Sequence, residues 1–387
     1  MLKCANAFTY EIDDLAVALN EIKTQLDEKI TLLDHTVGII MCHSEFISSG
    51  VARHICENLP FDVVGTTSAA QVVNDEAGEL ILTIFVMTSD DAWFRAGVTG
   101  SLRDSIDEPT RAAYEEATVG ESGPPKLVLI FPPFLIEKYG GDAYIEAWKK
   151  TAPETPIFGS LAIDDTVTFS ECETIFNGDN RKDAMPFVVC YGSINPRFYV
   201  SSLPEDESFS MVAEITNATK NFVYEINNTP TRDFFAKTGI PESMGTVPFV
   251  LDLKNRSDYD GVCVIAGNAT FSSDGAAVFY GYVDEGSTFS LARFAPDDIL
   301  SSSLSVIERI NSTPDANGAL LFPCIVRRMP LMGINASLSE LHVAKETVSP
   351  GIPFMMSYSG GQICPTSIKD GAPANRFHSY SLIILVV

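Results

Sequence analysis

At 387 residues the chain has room for roughly two to three domains, and with 45% apolar and 20% charged residues it is globular rather than disordered. Its 51 acidic against 26 basic residues give a net charge of −25, a field that repels phosphate backbones and argues against nucleic acid as a partner. Apolar runs such as Leu382 to Val387 are far too short to span a bilayer, and the first residues lack a charged-then-apolar leader, so a cytoplasmic chain without membrane insertion is expected.

In chain order, Leu15, Leu19, Ile22 and Leu26 form one stripe of an amphipathic helix, with Asp13 and Asp14 at its start. A buried strand, 37–42, follows. Next come a short helix carrying Val51, Ile55 and Leu59, ended by Pro60, and strands at 61–64 and 79–87 joined through the turn residues 74–78. No opening strand is evident in this first unit. The same order returns as strand 93–98, helix 110–118, strand 127–131, helix 142–150, strand 155–158, a turn at 176–179 and strand 186–190. A third copy spans 287–387: strand 288–294, a helix with Leu300, Leu304, Ile307 and Ile310, strand 319–322, helix 337–347, and strands 352–356 and 380–387. Between them, 196–286 is rich in short strands, for example 247–252 and 275–283. The pattern predicts an α/β protein of repeated strand-helix-strand-helix-strand-strand units with mixed sheets, plus a β-rich insert. The expected division is 1–200 with two units, then 201–387 with the insert and the third unit.

Small polar residues follow a buried strand at corresponding points of each unit: Gly65, Thr66, Thr67, Ser68 and Gln71; Gly159, Ser160 and Asp164; Ser357, Tyr358, Gly360 and Gln362. Ligands of α/β folds bind beyond the carboxyl ends of strands, where backbone N–H groups are free and glycine lets a backbone come close. Strand-ending turns favour the same residues for purely structural reasons.

Collinear motifs at these points resemble those of the FIST family. Val64-Gly-Thr-Thr-Ser-Ala-Ala-Gln-Val72 resembles "VGCSTAGEI", and Gly159-Ser-Leu-Ala-Ile-Asp164 resembles "GG-x-A-x-D". Leu320-Leu-Phe-Pro-Cys-Ile-Val-Arg327 is similar to "LLFSCxGR". The segment 359–365, followed by Phe377-His-Ser-Tyr-Ser381, is similar to "YGEIGP…HxxT". The resemblance covers nearly the whole chain. It implies paired FIST_N and FIST_C domains, intracellular sensory domains of bacterial signal transduction that bind a small ligand, amino acids having been proposed. Some members carry haem and sense nitric oxide. Gln71 and Gln362 stand where the family has an acid, which disfavours a cationic ligand, because an amide carries no charge.

His378 matches the family histidine, as a ligand hydrogen-bonder, a haem ligand or a turn residue; His43, after a buried strand, is the alternative. Arg327 suits a ligand carboxylate by its two-pronged guanidinium, or an internal salt bridge. Cys324 beside it reads as a reactive or a buried structural thiol. Among eight cysteines none forms a C-x-x-C pair, and no catalytic motif such as G-x-S-x-G or a P-loop occurs. The expectation is a non-catalytic small-ligand sensor that signals through a separate protein. The competing readings are a haem-binding gas sensor and an enzyme using the cleft between units.

Overall fold

Apolar runs alternating with helical stripes build three copies of one unit. The computed structural model describes residues 1–74, 76–166, 169–201, 208–238, 248–253, 263–292, 295–331, 338–369 and 372–387. Residues 75, 247, 293–294 and 337 of the expected elements lie outside the described residues.

The first unit runs β1 (Lys3–Thr9), α1 (Leu15–Lys29), β2 (His35–Cys42), α2 (Glu45–Ser48), α3 (Val51–Glu57), β3 (Asp62–Thr67), the hairpin β4 (Gln71–Val73) and β5 (Glu76–Gly78), and β6 (Leu82–Ser89). It therefore has an opening strand after all. In β1 the helix-facing residues are Ala5 and Ala7, too small to stand out as an apolar pattern. They let α1 pack through Ala18, Ile22 and Leu26. Asp14 caps this helix, accepting from the N–H groups of Ala16 at 2.9 Å and Val17 at 3.1 Å.

The second unit repeats the order: β7 (Ala92–Val98), α4 (Asp107–Ala117), β8 (Leu127–Ile130), α5 (Asp142–Thr151), β9 (Ile157–Ser160), the hairpin β10 (Thr174–Phe176) and β11 (Asp179–Arg181), and β12 (Pro186–Gly192). Then comes β13 (Arg197–Val200). The insert follows as β14 (Ser208–Thr219), β15 (Phe222–Ile226), β16 (Thr229–Pro230), α6 (Thr231–Thr238), β17 (Pro248–Leu253), β18 (Cys263–Phe271), β19 (Ala277–Phe279) and β20 (Thr288–Ala292). The rest is α7 (Pro296–Asn311), β21 (Ala319–Pro323), α8 (Ile325–Arg328), α9 (Ser339–Thr347), β22 (Phe354–Ser357), the hairpin β23 (Gln362–Lys369) and β24 (Ala372–His378), and β25 (Leu382–Val386).

Three six-stranded sheets share one order. They read β1-β6-β2-β3-β10-β11, β7-β12-β8-β9-β23-β24 and β13-β25-β21-β22-β4-β5. In each, one parallel pair (β2 with β3, β8 with β9, β21 with β22) sits among antiparallel neighbours. The opening strand of the third unit is thus β13. The stretch 288–292 expected in that place instead joins the insert's seven-stranded sheet, whose order is β14-β20-β17-β18-β19-β15-β16. The insert interrupts the third unit between its first strand and its first helix.

Each unit gives its hairpin away. The hairpin β10–β11 of the second unit pairs with β3 of the first, β23–β24 of the third with β9 of the second, and β4–β5 of the first with β22 of the third. The exchange closes a ring. Each sheet has its own helices on one face, forming three separate cores. The other faces share one central core, with Ile39, Met41 and Phe85 from the first sheet, Leu129, Phe131 and Phe158 from the second, and Phe322, Met355 and Leu385 from the third. Phe322 lies 5.3 Å from Phe158 and 6.5 Å from Phe131, ring centroid to centroid.

Candidate functional site

The three predicted segments meet where the exchanged hairpins leave the ends of β3, β9 and β22. The N–H groups of Ser68, Ala162 and Ser359 donate to the carbonyls of Cys42, Pro132 and Pro323 at 2.8, 2.9 and 2.8 Å. Those of Thr67, Leu161 and Tyr358 donate across to Glu173, Gly361 and Ala70 at 2.9, 3.0 and 3.2 Å. A third set links the segments directly: Ile163 N–H to the Thr67 carbonyl at 3.3 Å and Gly360 N–H to that of Leu161 at 3.0 Å. In the remaining place the Ser68 hydroxyl donates to the Tyr358 carbonyl at 2.9 Å. Thr66, Ser160 and Ser357 are therefore equivalent, as are Gln71, Thr174 and Gln362.

The glycines here serve backbone packing. A Cβ on Gly65 would lie 1.7 Å from the Ile40 carbonyl oxygen, and one on Gly159 2.3 Å from that of Ile130. A Cβ on Gly360 would lie 2.7 Å from the Ala162 carbonyl oxygen. We expect Gly65→Ala to force β2 and β3 apart and to cost about 2–3 kcal/mol, the upper end for an overpacked core. A shift of the urea midpoint reads this; an unchanged midpoint would contradict the packing role.

Strand alternation decides what faces the centre. Val73 and Met355 belong to the central core, and Gln71 opposite Ser357 lies two residues along on the same face. By the same parity Ser160 and Gln362 follow Phe158 and Cys364, and Thr66 follows Val64. Thr174 opposes Thr66. Six fully buried hydroxyl and amide side chains thus form a polar layer at one end of an apolar core. Thr66 donates to the Met41 sulfur at 3.3 Å, and Thr174 to the carbonyls of Ala184 at 2.8 Å and Arg181 at 3.1 Å. The Gln362 amide, oriented to satisfy both ends, donates to the His378 carbonyl at 3.0 Å and accepts from Cys324 N–H at 3.2 Å. Gln71 Oε1 and Ser357 Oγ have no protein partner.

Other predicted residues lie elsewhere. Arg327 is on the helix side of the third sheet, fully buried. Its Nε donates to Glu340 at 2.8 Å, Nη1 to the Tyr380 carbonyl at 3.0 Å, and Nη2 to Ser303, Ser302 and the Ile299 carbonyl at 2.8, 3.0 and 3.2 Å. The Tyr358 hydroxyl donates to the same Glu340 at 3.1 Å. Ser302 and Ser303 therefore occupy the buried face of α7 in place of the expected Leu304, which is 42% exposed. Asp164 is buried and organises the loop after β9. It accepts from the Thr166 N–H at 2.7 Å and hydroxyl at 2.6 Å, and from the Glu171 N–H at 2.6 Å. Thr67 binds the same loop, its hydroxyl accepting from Glu173 N–H at 2.9 Å.

His378 Nε2 lies 3.0 Å from the Cys364 carbonyl. Burial lowers its pKa from 6.5 to about 4, so the ring is neutral near pH 7. Below pH 6.5 the unfolded chain takes up a proton that the folded chain refuses until about pH 4. Stability tied to this residue is thus complete above pH 6.5 and falls by about 3 kcal/mol toward pH 4. The stability gap between wild type and His378→Asn, from denaturant unfolding at several pH values, is expected to shrink in wild type's disfavour over that window. A gap independent of pH would contradict the neutral buried ring.

Residues the sequence reading missed include Thr174, whose position opposite Thr66 depends on the hairpin exchange, and Glu340. The signal for Glu340 is an acid next to Leu341 on the buried stripe of α9. His43, weighed as an alternative, follows β2. Its Nε2 is 3.1 Å from Asp165, and its Nδ1 accepts from Glu45 N–H at 3.2 Å. Ser44 donates to Glu171 at 3.1 Å, so both tie the 164–173 loop to the first unit. Among the described residues no three His, Cys, Asp or Glu side chains gather as a metal site. Ligation of haem iron by His378 Nε2 would break its contact with the Cys364 carbonyl. Burial raises the Cys324 pKa, which favours the structural thiol over a reactive one. A surface groove of about 630 Å³ lies at the opposite ends of β2 and β3, lined by Asp34, Thr36, Phe61 and Asp62 among others, away from these segments.

No described helix is long and apolar enough to cross a membrane. No match is found among curated proteins. Among solved structures, PurLQS from Thermotoga maritima aligns over 100% of this chain and 71% of its own, at 10% identity and a TM-score of 0.19, a level that carries no argument. The family model of the FIST N domain matches residues 36–229 and that of the FIST C domain residues 235–365. Together with the collinear motifs at the three strand ends, these matches over most of its length mean that the chain belongs to the FIST family, whose domains are sensory domains of signal transduction.

Proposed function

We propose that the chain senses a small molecule without transforming it and passes the result to a separate signalling protein. The observation that carries this reading is the convergence of three strand ends on one buried layer of hydroxyls and amides. Such groups hold a ligand reversibly by hydrogen bonds. None of the six is an acid, a base or a thiol, so the layer offers no general base to activate its hydroxyls. The segments come from different units, so a ligand there would alter how the units pack, which is what a sensor must transmit.

Native mass spectrometry of the freshly purified chain tests the reading. The expected result is a non-covalently bound small molecule that is released unchanged on denaturation. Recovery of a chemically altered molecule on incubation would favour the enzyme reading, and absence of any bound molecule across preparations would count against the sensor.

A further inference from the structure

The equivalent positions of the polar layer differ in one respect. At Thr66 and Thr174 the hydroxyls have protein acceptors, at Gln362 the amide is used at both ends, and the Ser160 hydroxyl keeps a 3.5 Å contact to the Leu161 carbonyl. At the third place the two directly opposed residues, Gln71 and Ser357, bury Oε1 and Oγ with no protein partner. Gln71 holds only a long contact, from Nε2 to the Ser68 carbonyl at 3.5 Å. A buried polar atom without a partner carries its full desolvation cost. The two residues carrying these atoms stand directly opposite each other in the β4–β22 register, on the same face of the sheet.

We propose that Gln71 and Ser357 form the recognition pair for a small uncharged molecule bearing an N–H or O–H donor. The inference rests on the sensor reading above and names the ligand class of that site. The chemistry follows from the atoms. The amide oxygen of Gln71 only accepts, so the guest must donate, and the Ser357 hydroxyl can complete the pair in either sense. The guest carries no net charge, because the layer holds no ionised side chain and the surrounding core is apolar. The nearby Arg327 and Glu340 pair with each other on the other face of the sheet. Met41 and Met355 line the same face, and their flexible thioethers can adjust to a guest's shape.

Acetamide serves as the probe, with N,N-dimethylacetamide (no donor) and acetate (charged) as controls. Thermal unfolding of the full chain is followed in each, for wild type, Ser357→Ala and the Gln71→Met/Ser357→Ala pair. We expect acetamide to raise the wild-type midpoint above its value in either control, by mass action on the folded state. The advantage should shrink in Ser357→Ala and vanish in the double variant. Equal shifts in wild type and double variant, or stabilisation by acetate equal to that by acetamide, would overturn the proposal. So would a crystal soaked in acetamide showing water alone between Gln71 and Ser357. If the double variant does not fold, Ser357→Ala, which removes one oxygen, still reads the effect. A co-purifying molecule that stays bound in these variants overturns this inference and leaves the sensor reading intact. A donor-specific acetamide effect in a protein that purifies without any bound molecule upholds the pair and counts against the sensor.

Discussion

Expressed alone, residues 1–201 should fail to fold cooperatively, and so should residues 202–387, whereas the two co-expressed fragments should assemble into one particle. The reason is the ring of exchanged hairpins. The first fragment carries β4 and β5 but not their partner β22, leaves β9 without β23, and leaves β13 without β25. The second keeps the insert's sheet but lacks β4, β13 and β9, so the third unit's sheet is cut to β25, β21 and β22, and the hairpin β23–β24 has no strand to join. The central core is also cut, because Phe131 and Phe158 lie in one fragment and Phe322 and Met355 in the other. A folded domain has about 5–15 kcal/mol in hand. Losing a shared core and three strand pairings exceeds that, since one large buried side chain accounts for roughly 1.5–3 kcal/mol. Size-exclusion chromatography with thermal unfolding of each fragment and of the pair checks this. A sharp, wild-type-like transition in residues 1–201 alone would show that the exchange does not bind the halves. The division expected from the sequence, near 200, would then stand as two independent domains. The junction of the two family matches, between 229 and 235, falls across the first half of α6 (Thr231–Thr238), which packs against β15 of the insert. A cut there divides the insert's own sheet and is expected to be worse.

Arg327→Ala is expected to cost about 3–5 kcal/mol of folding stability, the range for removing one partner of a buried ion pair. The substitution leaves the Glu340 carboxylate buried with only hydroxyl partners, from Ser303 at 2.6 Å and Tyr358 at 3.1 Å. It also releases the carbonyl of Tyr380, a residue held at φ 61°, in the left-handed region that costs energy for a side chain other than glycine. Arg327→Lys should be nearly as damaging, because one ammonium cannot reach five acceptors spread around a planar guanidinium. Arg327→Met with Glu340→Leu should recover much of the loss, since neither charge then stays unpaired. Urea unfolding of these variants provides the measurement. An unchanged midpoint in Arg327→Ala together with weakened binding of an anionic ligand would return Arg327 to the role of ligand contact.

These two expectations also mark where sequence reading reached its limit. Strands such as Leu127–Ile130 and Pro186–Gly192 were legible because their apolar runs are continuous, as a strand buried on both faces requires. The three strand-end segments and the family motifs in them were legible because turn chemistry and glycine are local signals. The first strand was not, since Ala5 and Ala7 carry little hydrophobic signal. Arg327 was legible as a residue that needs an acid. Which acid was not, because Glu340 follows it by 13 positions, beyond the reach of any local spacing.

By itself, the sequence determined most helices and the continuous apolar strands, the order in which they repeat, the net charge of −25 and the family. Each of these is written in spacings within a few residues or in composition. The tertiary structure alone decided which strand opens the third unit, where each hairpin goes, and which side chains face the shared core. Gln71 and Ser357 are 286 positions apart, and a register shifted by one residue would turn both to the helix side. Register over that distance is set by packing three sheets around one core, since only one alignment buries Val73 and Met355 there while leaving Val72 and Met356 for the helices.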